Sequence, residues 1–213
     1  MQVIIRPYRK ADRKAVRQIA WDTAFMGRPA DAFFSGKALL TGFLTRYFTE
    51  YEPQSSFVAE SEGSVVGYLL GAKDTAVLAR IFKAKILPGL ILQAVFSGAL
   101  FRKKNLAFFR NCWQSLRNKE FRMPDLSRDY PATLHINLTE AARGEGTGAK
   151  LIAAYLDHLR KNNAAGVHLA TLSQRASVFF QAQGFTLLYE ARRTYFRHIL
   201  KDDLTLSVFG MRL

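Results

Sequence analysis

Residues 143–148 read Arg-Gly-Glu-Gly-Thr-Gly and run straight into a segment whose apolar positions 151, 152, 155, 156 and 159 repeat at helical spacing. Glycine at alternate positions removes the Cβ atoms that would hold backbone N–H groups apart, and a helix start adds the positive end of its dipole. The product is a nest suited to a phosphate or a diphosphate. The same turn serves equally well as a tight strand-to-helix connection with no ligand. Two better-known phosphate motifs are excluded. No Lys-Ser or Lys-Thr follows at the Walker spacing, and there is neither a G-x-G-x-x-G run nor an acidic residue ending the next strand. The lone cysteine, Cys112, leaves no internal disulfide and no cysteine zinc cage, and no metal site is expected.

Strands must position such a turn. Residues 133–138 and 166–171 have the composition of two strands flanking the helix, and the unit they form is a parallel crossover. Ligands in open α/β sheets bind beyond the carboxyl ends of such strands, where the glycine turn falls. Upstream, residues 2–8 read as a strand with Pro7 near its end, best tolerated at an edge. Asp12 stands at an N-cap position before Val16, Ile19, Ala20 and Thr23, and a second helical stretch spans about 36–51. Residues 56–60 and 65–71 form a hairpin around Glu62-Gly63, and the run VVGYLLG has the nearly unbroken apolar character of a central strand covered on both faces. Downstream, a short helix over about 174–183 is capped by Gly184, and residues 187–200 and 205–213 form a closing hairpin around Lys201-Asp202-Asp203.

Residues 73–128 break this pattern. They hold an apolar helical stretch interrupted by Pro88-Gly89, the triplet Arg102-Lys103-Lys104 and several aromatics. Between Arg80 and Arg128 there are eleven Lys or Arg and two acids. This is read as a helical insert within a single domain covering 1–213. Its basic face reads three ways: a solvated helix surface, an attractor of anionic substrate or cofactor phosphates, or a peripheral contact with an anionic membrane, since residues 87–101 are almost entirely apolar. Nucleic acid is not expected as a partner.

With 213 residues, 49% apolar and 23% charged, the chain has the balance of an ordinary globular domain and can bury a full core without staples. No run reaches the ~18 apolar residues of a membrane span, and Met1–Arg9 has no signal-peptide core, so a cytoplasmic location is expected. The charge of +14 calls for an anionic partner without naming it.

The spacing Arg143-x-x-Gly146-x-Gly148, followed by Ala176, Phe179, Phe180, Gly184 and Phe185 in the register A-x-x-F-[FY]-x-x-x-G-F, resembles the GNAT superfamily of acyl-coenzyme A N-acetyltransferases. The closing GMRL and the outline of residues 2–71 are similar to that family's last and first elements. Within it, Tyr130–Asn137 and Gly166–Leu169 resemble the branch that includes the acetyltransferase-like domain of O-GlcNAcases and its bacterial relatives. The resemblance implies a mixed, mostly antiparallel central sheet with one splayed parallel strand pair, flanking helices and, in that branch, a helical insert.

It also implies a chemistry. Acetyl-coenzyme A would lie between the splayed strands, its pantetheine arm along the backbone of Ile136, Asn137 and Leu138. Its diphosphate would sit on the turn begun by Arg143, against the amides of Gly144, Glu145, Gly146, Thr147, Gly148 and Ala149. The acceptor, a small-molecule or peptide amine, would attack the thioester directly, and the enzyme would position the reactants and remove a proton. His168 stands in the register where several relatives place a glutamate base, and imidazole ordinarily titrates near ~6.5. His135 and Asn137 share one face of the neighbouring strand, where His135 is a second base and Asn137 can orient the amine. Each of the three also reads as a structural hydrogen-bonding side chain. Two positions depart from the pattern. Ser173 replaces an asparagine that touches the cofactor, and Phe180 replaces a tyrosine that often protonates the leaving thiolate. The second departure keeps open a rival from another class, a coenzyme A-binding sensor or scaffold without turnover.

Overall fold

Each residue of the Glu62-Gly63 turn has a positive φ (51° and 74°), and the strands it joins pair as an antiparallel hairpin. The structure, a computed structural model, describes residues 2–213; Met1 lies outside the described residues. Seven strands make one sheet: β1 (Ile4–Pro7), β2 (Ser56–Ser61), β3 (Ser64–Ala72), β4 (Ala132–Leu138), β5 (Gly166–Thr171), β6 (Thr186–Arg193) and β7 (Leu204–Arg212). Their order is β1-β2-β3-β4-β5-β7-β6, antiparallel throughout except between β4 and β5. The helices are α1 (Arg13–Thr23), α2 (Lys37–Arg46), α3 (Thr75–Ile81), α4 (Leu87–Phe96), α5 (Lys103–Arg117), α6 (Thr147–Lys161), α7 (Gln174–Ala182) and α8 (Arg197–Leu200). No helix among the described residues is long and apolar enough to cross a membrane.

The sheet is covered on both faces, which accounts for the apolar character of β3. Leu69 joins α6 residues Leu151, Ile152 and Tyr155 in one buried cluster, while Tyr68 and Leu70 join Val16, Ile19 and Ala20 of α1 in another. Alternate side chains therefore face opposite layers. Gly71 has no room for a side chain, because a Cβ there would lie 2.2 Å from the Tyr155 ring. The Tyr155 hydroxyl reaches the carbonyls of Ala72 (3.0 Å) and Thr133 (2.8 Å), tying β3 to β4 just below the point where β4 leaves its other neighbour. The insert, α3 to α5, shares a third buried cluster with the segment between α1 and α2. Ile86, Leu90, Ala94 and Ala99 lie there with Phe25, Phe33, Phe34 and Phe196.

Two local expectations are corrected. Asp12 does precede α1, but its carboxylate does not cap that helix. It accepts instead from Arg6 (2.7 and 2.9 Å) and from the Arg9 N–H (2.8 Å), because a guanidinium fork from β1 outcompetes a helix amide for a carboxylate. Arg6 holds the Asp12 carboxyl below its ordinary range. Asp12→Asn should therefore be less stable than wild type at pH 7. The gap should narrow as pH falls below about 3.9, where the unfolded carboxyl protonates, and then through the lower folded value. Urea midpoints across that pH range measure it; a gap that persists unchanged at low pH contradicts the assignment. The second correction concerns the closing hairpin. Its first arm ends at Arg193 rather than Leu200, because Phe196 leaves the sheet to pack against Phe25, Phe33 and Phe108 with ring centroids 5.0–5.8 Å apart.

Candidate functional site

β4 and β5 pair at only two positions, Ala132 with Val167 and Thr133 with His168. Beyond them β4 stays with β3 out to Leu138, and β5 stays with β7 out to Thr171. The strands must therefore part, and their facing edges carry backbone groups with no strand to satisfy them. A cleft of about 700 Å³ opens in the gap, lined by Leu134–Leu138 on one side and Leu169–Ser173 on the other. An extended polar chain fits there by the same hydrogen bonding that a third strand would use.

The glycine turn closes one end of this cleft. Thr139 fastens the end of β4 by donating from N and Oγ1 to Val66 O (2.9 and 3.0 Å), and a single helical turn over Glu140–Ala142 then leads to Arg143. Gly144 and Gly146 take φ of 89° and 72°, and a Cβ at either would meet nothing within 4 Å. Their glycines answer to backbone conformation, and the space before them is open. Gly148 is different, since a Cβ there would come within 2.9 Å of the Phe179 ring, so α7 packs directly on the start of α6. The six amides from Gly144 to Ala149 have no acceptor in the protein among the described residues. The buried hydroxyl of Thr147 is also without a partner. Arg143 and Arg175 both line the cleft, and no carboxylate does. Arg143 braces its own wall, its Nε donating to Leu138 O (3.3 Å) and Nη2 to Gly27 O (3.2 Å). Glu145 contributes its backbone, with its side chain in solvent. Free amides, a helix dipole and two cations together fit a diphosphate.

The polar side chains within the cleft come from β4. Asn137 Nδ2 donates to the Tyr68 hydroxyl (2.8 Å) and to Nε2 of His135 (3.2 Å). An amide nitrogen only donates, so Nε2 accepts and the proton of the neutral ring sits on Nδ1. Burial pushes the pKa of His135 down to about 4, so the ring is neutral at pH 7, and burial pushes the Tyr68 hydroxyl up. Tyr68 completes this set and is not evident from the glycine motif or the strand histidines. The available signal was a phenol inside a doubly covered apolar strand, since a buried hydroxyl needs a partner.

His168 does not join them. It sits opposite Thr133, at the last position where β4 and β5 still pair, and it does not line the cleft. Its Nδ1 donates to Tyr130 O at 2.7 Å, a structural contact. Alternation places His168 and His135 on the same sheet face, but the strands part only above His168. Ser173 does line the cleft, and its Oγ also accepts from Ala176 N (3.4 Å) as the N-cap of α7, leaving its proton free to donate. Phe180 reaches the cleft from α7 and is otherwise buried, with Phe179, Phe185 and Phe209 around it at ring-centroid distances of 5.3, 5.8 and 6.3 Å. The opposite wall is apolar, with Met26, Leu44, Phe196 and Leu206 exposed to the cleft. Cys112 takes no part; it lies outside the cleft, and burial pushes its thiol up to about 11.

No protein-family model matches the chain. Solved structures do. SsHAT is similar over 100% of this chain and 98% of its own, at 24% identity and a TM-score of 0.71. The polyamine N-acetyltransferase of Drosophila melanogaster, which catalyses formation of N-acetylagmatine, is similar over the whole of both chains at 14% identity and a TM-score of 0.64. A phosphinothricin acetyltransferase of the GNAT superfamily from Sinorhizobium meliloti, in complex with acetyl-coenzyme A, is similar over 100% of this chain and 89% of its own at 16% identity, with a TM-score of 0.60. The chain has the fold of the GNAT acetyltransferases.

Proposed function

We propose that the protein is an N-acetyltransferase that moves the acetyl group of acetyl-coenzyme A to an amine on an apolar body. The observation that carries this reading is the meeting of two binding elements in one cleft: the unpaired edge of β4, and the row of free amides from Gly144 to Ala149. The first suits the pantetheine arm through the backbone of Ile136, Asn137 and Leu138; the second, with Arg143 and Arg175, suits the diphosphate. Acetyl-coenzyme A supplies an activated thioester. The chain supplies the rest: N–H groups on the β4 edge to polarise the thioester oxygen, the side-chain oxygen of Asn137 to hold the amine, and Nε2 of His135 to take its proton once the arriving amine displaces the Asn137 N–H that Nε2 accepts in the free protein. The closer affinity to the acetyltransferase-like domain of O-GlcNAcases rests on the stretches Tyr130–Asn137 and Gly166–Leu169.

The acceptor reading rests on charge. A polyamine or lysine-rich peptide keeps a cation inside any cleft that holds it, and this lining offers two arginines and no carboxylate to meet one. Agmatine, the acceptor named for the Drosophila protein, is therefore expected to be poor here. Release of free thiol from acetyl-coenzyme A, followed with a phenylalkylamine, agmatine, spermidine and a lysine peptide, tests both parts. Turnover with the phenylalkylamine supports the proposal. Preference for spermidine or agmatine overturns the acceptor class, and binding of acetyl-coenzyme A without turnover of any amine favours the sensor reading that Phe180 keeps alive.

Phe180 supplies a further expectation. A thiolate is a good leaving group, and solvent or backbone donors suffice to protonate it. Phe180→Tyr should then change turnover less than tenfold, while an unpartnered buried hydroxyl costs about 1–3 kcal/mol of stability. Rate and melting temperature are measured together; a folded variant that gains several orders of magnitude contradicts a mechanism without this acid.

A further inference from the structure

We propose that the helical insert docks the protein on an anionic lipid bilayer, with Phe96 and Phe101 entering the interface and Arg102 and Lys103 resting on the headgroups. This surface is separate from the acetyl-transfer cleft, and the proposal stands without that reading.

Among the described residues, eleven of the sixteen exposed large apolar side chains lie between Ile91 and Met123. Phe96 and Phe101 are the most exposed of these, at 86% and 74%, and both sit at the bend between α4 and α5. The exposure is ordered. On α4 it falls at Ile91, Leu92, Val95 and Phe96, and on α5 at Leu106, Phe109, Trp113 and Leu116, in each case the spacing of one helical face. A folded domain rarely leaves this much apolar surface in water without something to cover it.

Charge selects what covers it. The stretch from Arg80 to Arg128 carries eleven cations against two acids. One of those acids, Glu120, is turned onto the body, where it accepts from N and Oγ1 of Thr194 (2.8 and 2.7 Å). Arg102, Lys103 and Lys104 stand at the start of α5, where the helix dipole already points its positive end and disfavours further cations. That arrangement weakens the helix alone and strengthens it beside negative charge. Lys104 donates to the Asp31 carbonyl and so anchors the bend, leaving Arg102 and Lys103 in solvent beside the two phenylalanines. Trp113, with the Arg117 guanidinium 4.9 Å from its ring centroid, has the amphipathic character favoured at the boundary of lipid and water.

A second copy of the chain would bring the same excess of cations against itself. A nucleic acid would meet the positive charge but has no use for the aliphatic Ile91, Leu92, Val95, Leu106 and Leu116, which offer bases no stacking platform. An anionic bilayer satisfies both the charge and the aliphatic surface. It also connects to the site: Phe108, on the inner side of α5, stacks on Phe196 of the cleft wall at 5.8 Å. Docking would therefore set the wall of the cleft directly behind the lipid interface.

Flotation of the whole protein with vesicles tests the proposal, using phosphatidylcholine alone and phosphatidylcholine mixed with phosphatidylglycerol. Wild type is expected to float only with the anionic vesicles, less so at high salt, with its tryptophan fluorescence shifting to shorter wavelength. Phe96→Ser with Phe101→Ser should lower partitioning at least tenfold, and Arg102→Gln with Lys103→Gln roughly tenfold, both at wild-type melting temperature. The proposal is overturned by absence of flotation, or by flotation indifferent to the phenylalanine pair, which would mean ion attraction without insertion. A wild-type dimer that the phenylalanine pair splits, or binding of single-stranded RNA in place of vesicles, overturns it equally.

Discussion

Gly146→Glu is expected to abolish acetyl-coenzyme A binding in a protein that still folds. Gly146 is the N-cap of α6 at φ 72°, and a Cβ there meets nothing within 4 Å, so no clash opposes the substitution. Folding loses only the strain of an L-residue in the left-handed region, about 1–2 kcal/mol. Binding loses far more. The new carboxylate stands over the amides that would receive the diphosphate, and a like charge at ~5 Å opposes it by on the order of 3 kcal/mol at an effective dielectric of ~20. That charge effect alone predicts a loss of more than 10²-fold in affinity. Gly146→Asn, which tolerates positive φ and carries no charge, should retain most of the binding. Calorimetry and melting temperature on both variants separate charge from strain; equal losses in the two would assign the effect to backbone conformation and remove the anion nest from the account.

His135→Ala carries the second large effect, a fall of about 10²-fold in turnover with little change in acetyl-coenzyme A affinity. General-base loss ranges over roughly 10²–10⁴ in rate, and a ring whose pKa burial has pushed down to about 4 is a weak base, which places it at the lower end. The pH profile gives an independent reading. His135 is neutral from about pH 5 upward, so kcat/KM should show no inflection from this ring near 6.5 and should instead rise with deprotonation of the amine. Asn137→Ala should act on KM as well as kcat, because Asn137 positions the ring and the amine. His168→Ala, by contrast, should change turnover less than threefold, since its Nδ1 is held by Tyr130 O outside the cleft. A large loss there, with His135→Ala unaffected, would exchange the two roles.

The parts of the site legible in the sequence are those governed by local backbone physics. Gly144 and Gly146 stand where φ is positive, Gly184 closes α7 at φ 85°, and residues 166–171 form a strand as their composition implies. Phe180 reaches the cleft because its helix follows the second splayed strand at fixed spacing. What local pattern does not contain is where two strands separate. Residue alternation puts His135 and His168 on one face, yet only the tertiary pairing of β4 with β3 and of β5 with β7 parts them above Thr133 and leaves His168 at the closed end. The pairing of Tyr68 has a related origin. Its partner Asn137 lies on β4, 69 residues along the chain, and only the β3–β4 register sets them opposite. The shortened first arm of the last hairpin depends on aromatic partners from α5 and the segment after α1, which no local window contains.

Titration calorimetry of the purified protein with acetyl-coenzyme A tests the central claim most directly, because every functional statement about the cleft assumes that this molecule fits it. The account predicts saturable binding at one site per chain. It also predicts marked weakening for a coenzyme A fragment that lacks the diphosphate, since the free amides from Gly144 to Ala149 would then have nothing to hold. Absence of binding by wild type, or affinity unchanged when the diphosphate is removed, would contradict it.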